Sequence, residues 1–181
     1  MPETSPPTEA ERRQAISAEL ERLEESAMYS AQSQFEQAKR WRLINLWLGV
    51  PASGLAAIAG AMALVTAAGR VIAGLVVLTA AVLGAILTTI NASHRMNQAA
   101  SAANAYLEIQ TAARQARDID LPAWTVEEAR SALAELTARR DEQNKTAEPP
   151  SRRAYLRGKA NIDGGGQTYA IDASANQPEG H

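Results

Sequence analysis

Cysteine is absent from this chain of 181 residues, which excludes disulfides, thiolate nucleophiles and cysteine-based metal sites. The two histidines, His94 and His181, have no further ligand residues at metal-binding spacing. Aromatic residues make up only 4% of the chain, whereas alanine is abundant, and this combination favours helices that pack closely through small side chains. The net charge of −2 does not indicate a nucleic-acid binder. We therefore expect no metal, no cofactor and no nucleic-acid partner.

A cluster of residues with catalytic chemistry is missing as well. Asp118 and Asp120 are close carboxylates, but they flank a helix break and are most simply turn and capping residues. The DGGG segment at Asp163 lacks the lysine and the serine or threonine of a phosphate-binding loop. The sequence therefore predicts a protein that is not an enzyme.

Charge is almost missing from Leu43 to Ser93, where Arg70 is the only ionisable residue. The apolar run on each side of it is longer than the roughly 18–20 residues that cross a hydrocarbon core. The sequence therefore predicts a transmembrane helical hairpin, with a first span over 43–67, an external turn over 68–70 and a second span over 71–93. A buried hairpin inside a soluble bundle is the competing interpretation, but a soluble helix should keep a polar face.

Basic and aromatic residues cluster where the chain enters the first span and leaves the second. Cationic residues beside a span favour the cytoplasmic side, and aromatic rings favour the headgroup level. The predicted interface anchors are Arg40, Trp41, Arg42, Trp47, His94 and Arg95. This pattern predicts a multi-pass protein of the bacterial inner membrane, with both termini in the cytoplasm.

Small and polar residues within the spans are the candidates for helix packing. Pro51 removes one backbone donor and predicts a bend in the first span. Small residues recur at steps of four in both spans, as Ala52, Ala56 and Gly60 and as Ala80, Gly84 and Thr88. This spacing lets helices approach closely in lipid, although ordinary packing within the hairpin is the favoured explanation of it.

One face of the second span contains Ala81, Gly84, Thr88 and Asn91. Neither span buries an acidic or a basic residue, which argues against a proton-coupled transporter or an ion pump. Two helices cannot enclose water, so a pore along this face requires several copies of the chain. Together with Gly60, these residues are the candidate pore-facing or helix-packing set, and a homo-oligomer is the expected assembly.

The N-terminal flank predicts a disordered lead over 1–7 and one amphipathic cytosolic helix over 8–42. Thr8 and Glu11 have the spacing of a capping box, in which each side chain satisfies an exposed amide of the other residue. An apolar stripe then follows at steps of three and four residues. Its members are Ile16, Leu20, Leu23, Ala27, Ala31, Phe35, Ala38 and Trp41.

The flank after the second span predicts two further cytosolic helices, over 94–117 and 125–144. The first has its own apolar stripe and is expected to pair with the N-terminal helix as an antiparallel stalk. The stripe comprises Met96, Ala99, Ala103, Tyr106 or Leu107, Gln110 and Ala113. The DIDLP segment (118–122) ends this helix, and Thr125 with Glu128 predicts a second capping box. The short helix is expected to fold back over Ile16 and Leu20.

The C-terminal segment over 145–181 predicts a flexible tail, because two prolines and three consecutive glycines interrupt it. A weak hairpin joining 154–162 to 167–171 is the alternative. The tail begins with a basic cluster, which is either solvated or in contact with anionic lipid headgroups. The cluster comprises Arg152, Arg153, Arg157 and Lys159. The expected fold class is thus an all-α membrane protein with a transmembrane hairpin, a helical stalk, a short third helix and a disordered tail.

Two segments resemble those of the SLATT family of two-transmembrane domains, which are associated with SMODS nucleotidyltransferases and SLOG domains in bacteria. The first is YSAQSQFEQAKRWRLINLWLGVPAS at Tyr29–Ser53, and the second is INASHRMNQAASAANAYLEI at Ile90–Ile109. The likeness covers about Ala18 to Asn144. It implies a membrane effector of a nucleotide-dependent defence or conflict system, activated through a separate nucleotidyltransferase or nucleotide-sensing partner.

Two hypotheses of function follow from these observations. The first is an effector that oligomerises in the lipid bilayer and forms a pore or disrupts the membrane. The second is a membrane-anchored coiled-coil scaffold or adaptor that recruits a cytosolic partner. Toxicity on strong expression would distinguish the first from the second.

Overall fold

A computed structural model describes residues 7–63 and 67–166, without the side chains of 60, 62, 63, 67–70, 72 and 73. These residues are helical throughout apart from short connections, and no strand occurs among them. The helices are α1 (Glu9–Ala63), α2 (Ala67–Ile90), α3 (Ala92–Gln115), α4 (Val126–Thr146) and α5 (Arg152–Asp163). The chain forms two compact units, one from Met1–Glu36 with Ala100–His181 and the other from Gln37–Ala99. We call these the terminal unit and the apolar unit.

The predicted capping box forms at the start of α1. The Thr8 amide donates to the Glu11 carboxylate at 2.7 Å, and the Glu11 amide donates to the Thr8 hydroxyl at 3.3 Å. Neither glycine nor proline occurs between Glu9 and Leu48, so the helix runs without interruption into the apolar sequence. Pro51 lies inside α1, and the bend predicted there stays a prediction. Residues 1–6 of the predicted disordered lead lie outside the described residues.

The predicted apolar stripe of α1 is the centre of the terminal unit. Ile16, Leu20, Leu23 and Ala27 are all buried, as predicted. They belong to one hydrophobic cluster with residues of α3 and α4, among them Tyr106, Ile109, Ala113, Val126, Ala129 and Leu136. The prediction that the short helix covers Ile16 and Leu20 is therefore confirmed. Several alanines in this cluster have no exposed surface, which indicates that the helix backbones approach closely.

The turn after α3 is held on α1 by two polar contacts. The predicted break at 118–122 begins as a π-helical turn over Ala116–Asp120, followed by the buried Leu121. The Arg13 guanidinium donates to the Leu121 carbonyl at 3.0 Å. Arg117 pairs with Glu24 at 2.6 Å, with both side chains about four-fifths covered. Because the partners are largely shielded from water, their Coulomb attraction is screened less than that of an exposed pair.

The predicted capping box at the start of α4 is confirmed. Both the amide and the hydroxyl of Thr125 donate to the Glu128 carboxylate at 2.8 Å. The Glu128 amide donates back to the Thr125 hydroxyl at 3.3 Å. These bonds, first the backbone one and then the side-chain one, lower the pKa of Glu128 below its ordinary value of 4.5.

A pH titration of the Glu128 carboxyl by NMR tests this cap. A carboxyl whose pKa is lower in the folded state stabilises the helix above the unfolded pKa. That contribution should be lost as the pH falls below 4.5 and through the folded pKa. In Thr125→Ala the pKa of Glu128 should rise part of the way to its ordinary value, because only the backbone bond is left. Glu11, whose pKa is lowered in the same way by Thr8, is the internal control and should not change. An unchanged Glu128 pKa in the variant would contradict this assignment.

The C-terminal segment differs from its prediction as a flexible tail or a hairpin. Residues up to Thr146 continue α4, and Arg152–Asp163 form α5. The Ser151 hydroxyl caps α5 by accepting from the Ala154 amide at 3.3 Å. The buried Ala154 and Gly158 face the rest of the unit. These small residues form no recognisable apolar stripe, which is why the sequence pattern missed the helix. The tail prediction beyond residue 166 lies outside the described residues.

The connections of the apolar unit also differ from their predictions. Residues 68–70, the predicted turn, belong to the first turn of α2, and residues 64–66 lie outside the described part of the chain. One glycine costs a helix only about 1 kcal/mol, so Gly69 does not have to end it. The predicted second span reaches residue 93, but α2 ends at Ile90. Asn91 then separates α2 from α3 with a φ of 51°, a conformation that asparagine tolerates better than most residues.

Candidate functional site

The apolar unit exposes most of its large hydrophobic side chains. Two helices in the structure are long and apolar enough to cross a membrane. In the most apolar window of each helix, only 6% and 11% of the residues are buried. Trp47 is 77% exposed, and many other large apolar side chains of this unit are also exposed. The exposed set comprises Leu43, Leu46, Val50, Ile58, Val71, Leu75, Val77, Leu78, Val82 and Ile86.

Four hydroxyl groups in the described part of the apolar unit bond to the backbone of their own helix. Ser53 donates to the Gly49 carbonyl at 2.9 Å, and Thr79 donates to the Leu75 carbonyl at 3.0 Å. Thr88 and Thr89 donate in the same way to the carbonyls four residues earlier, at 2.9 and 2.8 Å. A hydroxyl satisfied in this way needs no water, so these polar residues do not require an aqueous surface.

Small residues of α1 and of α2 are buried in the apolar unit. Ala59 of α1 and Ala80 of α2 are buried. A Cβ atom on Gly49 would be 3.6 Å from Cδ2 of Leu87, which is an ordinary van der Waals contact. Of the predicted stripes, Ala52 is half-buried and Ala56 is exposed. The contact therefore uses only part of each predicted stripe.

The predicted pore-facing set lies mostly outside this contact. Ala81, Thr88 and Asn91 are exposed. A Cβ atom on Gly84 would meet nothing within 4 Å. The side chain position of Gly60 lies outside the described residues. Within the described part of the apolar unit, this face is therefore open to a neighbour.

Three of the predicted interface anchors lie together. The Arg95 and Arg40 guanidinium carbons are 5.1 and 5.9 Å from the centre of the Trp41 ring, so the indole has a cation–π contact with each. The remaining anchors, Arg42, Trp47 and His94, are exposed. Arg40, Trp41 and Arg95 thus form a basic and aromatic cluster within the apolar unit.

A cleft in the terminal unit was not predicted from the sequence. It has a volume of about 530 Å³, and its lining includes Tyr29, Ser33, Gln34, Tyr106, Glu148 and Tyr155. The Tyr106 hydroxyl donates to the Asn144 side chain at 2.7 Å. Burial raises the pKa of Tyr106 against a smaller opposite effect of Arg140, so this hydroxyl stays protonated and able to donate.

One side of the cleft corresponds to a recognisable pattern in the sequence. Ser26, Tyr29, Ser30, Ser33 and Gln34 recur at helical spacing and form a polar stripe on α1. The pattern does not indicate which other segments complete the cleft.

Comparison with protein-family models, with curated proteins and with solved structures gives no match for this chain.

Proposed function

We propose that this chain is a non-enzymatic membrane effector whose apolar unit spans the bacterial inner membrane as a helical hairpin. The observation that carries the proposal is the exposed apolar surface of the apolar unit, where the hydroxyls of Ser53, Thr79, Thr88 and Thr89 bond to their own helix backbone. Such a surface is costly in water and is suited to lipid, where each backbone and hydroxyl group must find its partner inside the protein. The lipid bilayer is therefore the first partner of this chain.

Two contacts support an antiparallel hairpin. Trp41 contacts Arg95, and the position of Gly49 contacts Leu87. A step of eight residues forward along α1, from 41 to 49, thus matches a step of eight residues back, from 95 to 87. This is the register of antiparallel neighbours. The basic and aromatic cluster around Trp41 lies at the end of the hairpin where the chain enters and leaves, which favours cytoplasmic termini.

The open face on α2 supports assembly of several copies. Ala81, Gly84 and Thr88 offer little side-chain bulk, and small residues let helices approach closely in lipid. In the proposed function, contacts between copies along this face permeabilise the membrane. The resemblance to the SLATT family adds the expected trigger, a signal from a separate nucleotide-making or nucleotide-sensing partner.

Expression in bacteria with a membrane-potential dye tests the effector function. The activated wild-type chain should depolarise the cells and stop growth. Gly84→Leu should reduce depolarisation about tenfold or more, because leucine blocks the close approach of a second copy. Since a Cβ atom on Gly84 would meet nothing within 4 Å among the described residues, the variant should still fold.

Ala85→Leu is the matched control, because it adds similar bulk about 100° around the helix axis at the same depth. It should depolarise cells as the wild type does, with equal amounts of each variant in the membrane fraction. If both variants lost depolarisation equally, contact between copies through the face that contains Gly84 would be contradicted. An unchanged membrane potential with abundant wild-type protein in the membrane would contradict the effector function and favour the scaffold hypothesis.

A further inference from the structure

The helix α5 presents three arginines to solvent without a partner. Arg152, Arg153 and Arg157 are exposed, and within the described part of the chain none of their side chains forms an ion pair or a hydrogen bond. The remaining cation of this helix is engaged, because the Lys159 ammonium lies 3.5 Å from the Asp163 carboxylate. Three guanidinium groups are therefore left to attract an anionic partner.

The charge of α5 is opposite to that of the unit to which it belongs. All 20 acidic residues of the chain lie in the terminal unit, where they outnumber the lysines and arginines. Most of α5's charge is positive instead, with four basic residues against one acidic residue. An anionic surface is therefore attracted by α5 and repelled by the terminal unit as a whole, which orients the approach.

An apolar side chain lies at the centre of the outer face of α5. Residues of a helix advance by about 100° each, so Leu156 lies opposite the buried Ala154 and Gly158. Arg152 and Arg153 lie on either side of it, and the leucine is about half exposed. A leucine between cations is typical of a helix at a membrane surface, where the apolar group enters the headgroup layer and the cations meet phosphates.

The position of two arginines along α5 also favours an anion. Arg152 and Arg153 lie in the first turn of the helix, which contains no acidic residue. The N-terminal end of a helix has a partial positive charge, which disfavours cations and attracts anions. An anionic surface beside this turn would relieve that repulsion and add to the attraction of the guanidinium groups.

The bilayer of the proposed function is within reach of α5. A Cβ atom on Gly158 would lie 2.9 Å from the Ser33 backbone nitrogen, so α5 packs on α1 at this residue. Ser33 precedes the predicted interface anchor Arg40 by seven residues, and seven residues span at most about 25 Å in any conformation. Since the cytoplasmic surface of a membrane carries anionic lipids, it is the nearest surface of opposite charge.

We propose that the outer face of α5 binds the anionic headgroups of the bilayer. Arg152, Arg153 and Arg157 contact the lipid phosphates, and Leu156 lies between them in the headgroup layer. This contact makes the position of the terminal unit depend on the content of anionic lipid in the membrane. The inference rests on the membrane insertion in the proposed function, but it does not require a pore.

A fluorescent label on α5 of the full chain in lipid nanodiscs tests the proposal. Because the chain has no cysteine, Ala160→Cys accepts a single NBD label at an exposed position beside Leu156. In phosphatidylcholine discs with about 30% phosphatidylglycerol, a spin label on the lipid headgroups should quench NBD at least about twofold more than in phosphatidylcholine alone. About 0.5 M sodium chloride should remove the difference, because salt screens exposed charges. Equal quenching in the two lipids would overturn the proposal.

Matched charge variants of the labelled chain separate α5 from the rest of the unit. Each arginine at an anionic surface strengthens binding about fivefold, so Arg152→Gln with Arg153→Gln should weaken the contact about 25-fold. Quenching should then fall to the phosphatidylcholine level. Arg12→Gln with Arg130→Gln removes the same charge from two exposed arginines of the same unit and should change quenching less than about twofold. Equal effects of the two double variants would overturn the proposal.

A leucine variant tests the apolar part of the contact. Leu156→Ser should reduce quenching in the anionic discs, because a serine gains little from entering the headgroup layer. Ile119→Ser is the control, since Ile119 is an exposed apolar residue of the same unit outside α5. It should leave quenching unchanged. A label that responds equally to the two variants would overturn the proposal.

Nucleic acid is the rival anionic partner for a row of arginines. A DNA duplex of about 20 base pairs, added to the labelled chain in phosphatidylcholine discs, should leave the NBD emission unchanged. A response to DNA without a response to phosphatidylglycerol would overturn the assignment to lipid.

Co-elution of the chain with the discs distinguishes this inference from the proposed function. A chain that co-elutes with both kinds of disc, but whose label does not respond to phosphatidylglycerol, would overturn the α5 contact and leave the membrane span intact. A chain that enters neither kind of disc would overturn the proposed function and this inference with it.

Discussion

Replacing Leu20 by alanine should lower the free energy of unfolding of the terminal unit by about 2–5 kcal/mol. Leu20 has no exposed surface and lies in the cluster that joins α1, α3 and α4. The neighbouring alanines Ala27, Ala113 and Ala129 are also fully covered, so the helices are already close. The structure therefore has little room to collapse around the lost methyl groups. Urea titration followed by circular dichroism in mild detergent measures the change.

Ile119→Ala is the matched control for this prediction. Ile119 belongs to the same unit and is 67% exposed, so its truncation should change stability by less than about 0.5 kcal/mol. A loss of several kcal/mol is a large share of the roughly 5–15 kcal/mol that stabilises a typical domain. Equal effects of the two substitutions would show that Leu20 is not at the centre of the cluster.

Replacing Gly158 by valine should release α5 from the terminal unit, at a cost of about 1–3 kcal/mol or more. A Cβ atom at this position would lie 2.9 Å from the Ser33 backbone nitrogen and 3.0 Å from the Gln32 carbonyl carbon. Backbone atoms inside α1 cannot move aside as a flexible side chain can. The contact also brings the Asn161 amide to the Gln32 side chain, to which it donates at 3.0 Å. Hydrogen exchange of the α5 amides should accelerate in the variant.

Ala160→Val provides the control, because it places the same β-branched residue at an exposed position of the same helix. It should leave hydrogen exchange in α5 nearly unchanged. A glycine in a helix interior usually lowers stability, so helix propensity alone predicts that replacing Gly158 by a larger residue stabilises α5. A loss of stability in Gly158→Val would therefore have the opposite sign and would point to the close contact. If both variants protected α5 equally, the close contact between α5 and α1 would be contradicted.

The features that sequence patterns predicted correctly are local ones. The capping boxes at Thr8 and Thr125 involve residues three positions apart, and both form. The stripe from Ile16 to Ala27 repeats at the helical period and is buried. Such features follow from backbone geometry over a few residues, so one sequence suffices to predict them.

The features that the sequence left open depend on contacts between distant segments. The α5 helix has few large apolar residues on its inner face, and it lies on α1 because Gly158 admits a close backbone contact. Asn91 ends α2 through a left-handed conformation that asparagine permits but does not require.

The amino-acid sequence by itself determined that the chain is helical, where its polar and apolar stretches lie and how two of its helices begin. Only the tertiary structure decided that α5 exists and that a cleft forms beside it. The physical reason is distance along the chain, since Gln34 and Glu148 meet across 114 residues. No periodic pattern encodes which of many polar side chains will be brought together by the packing of four helices.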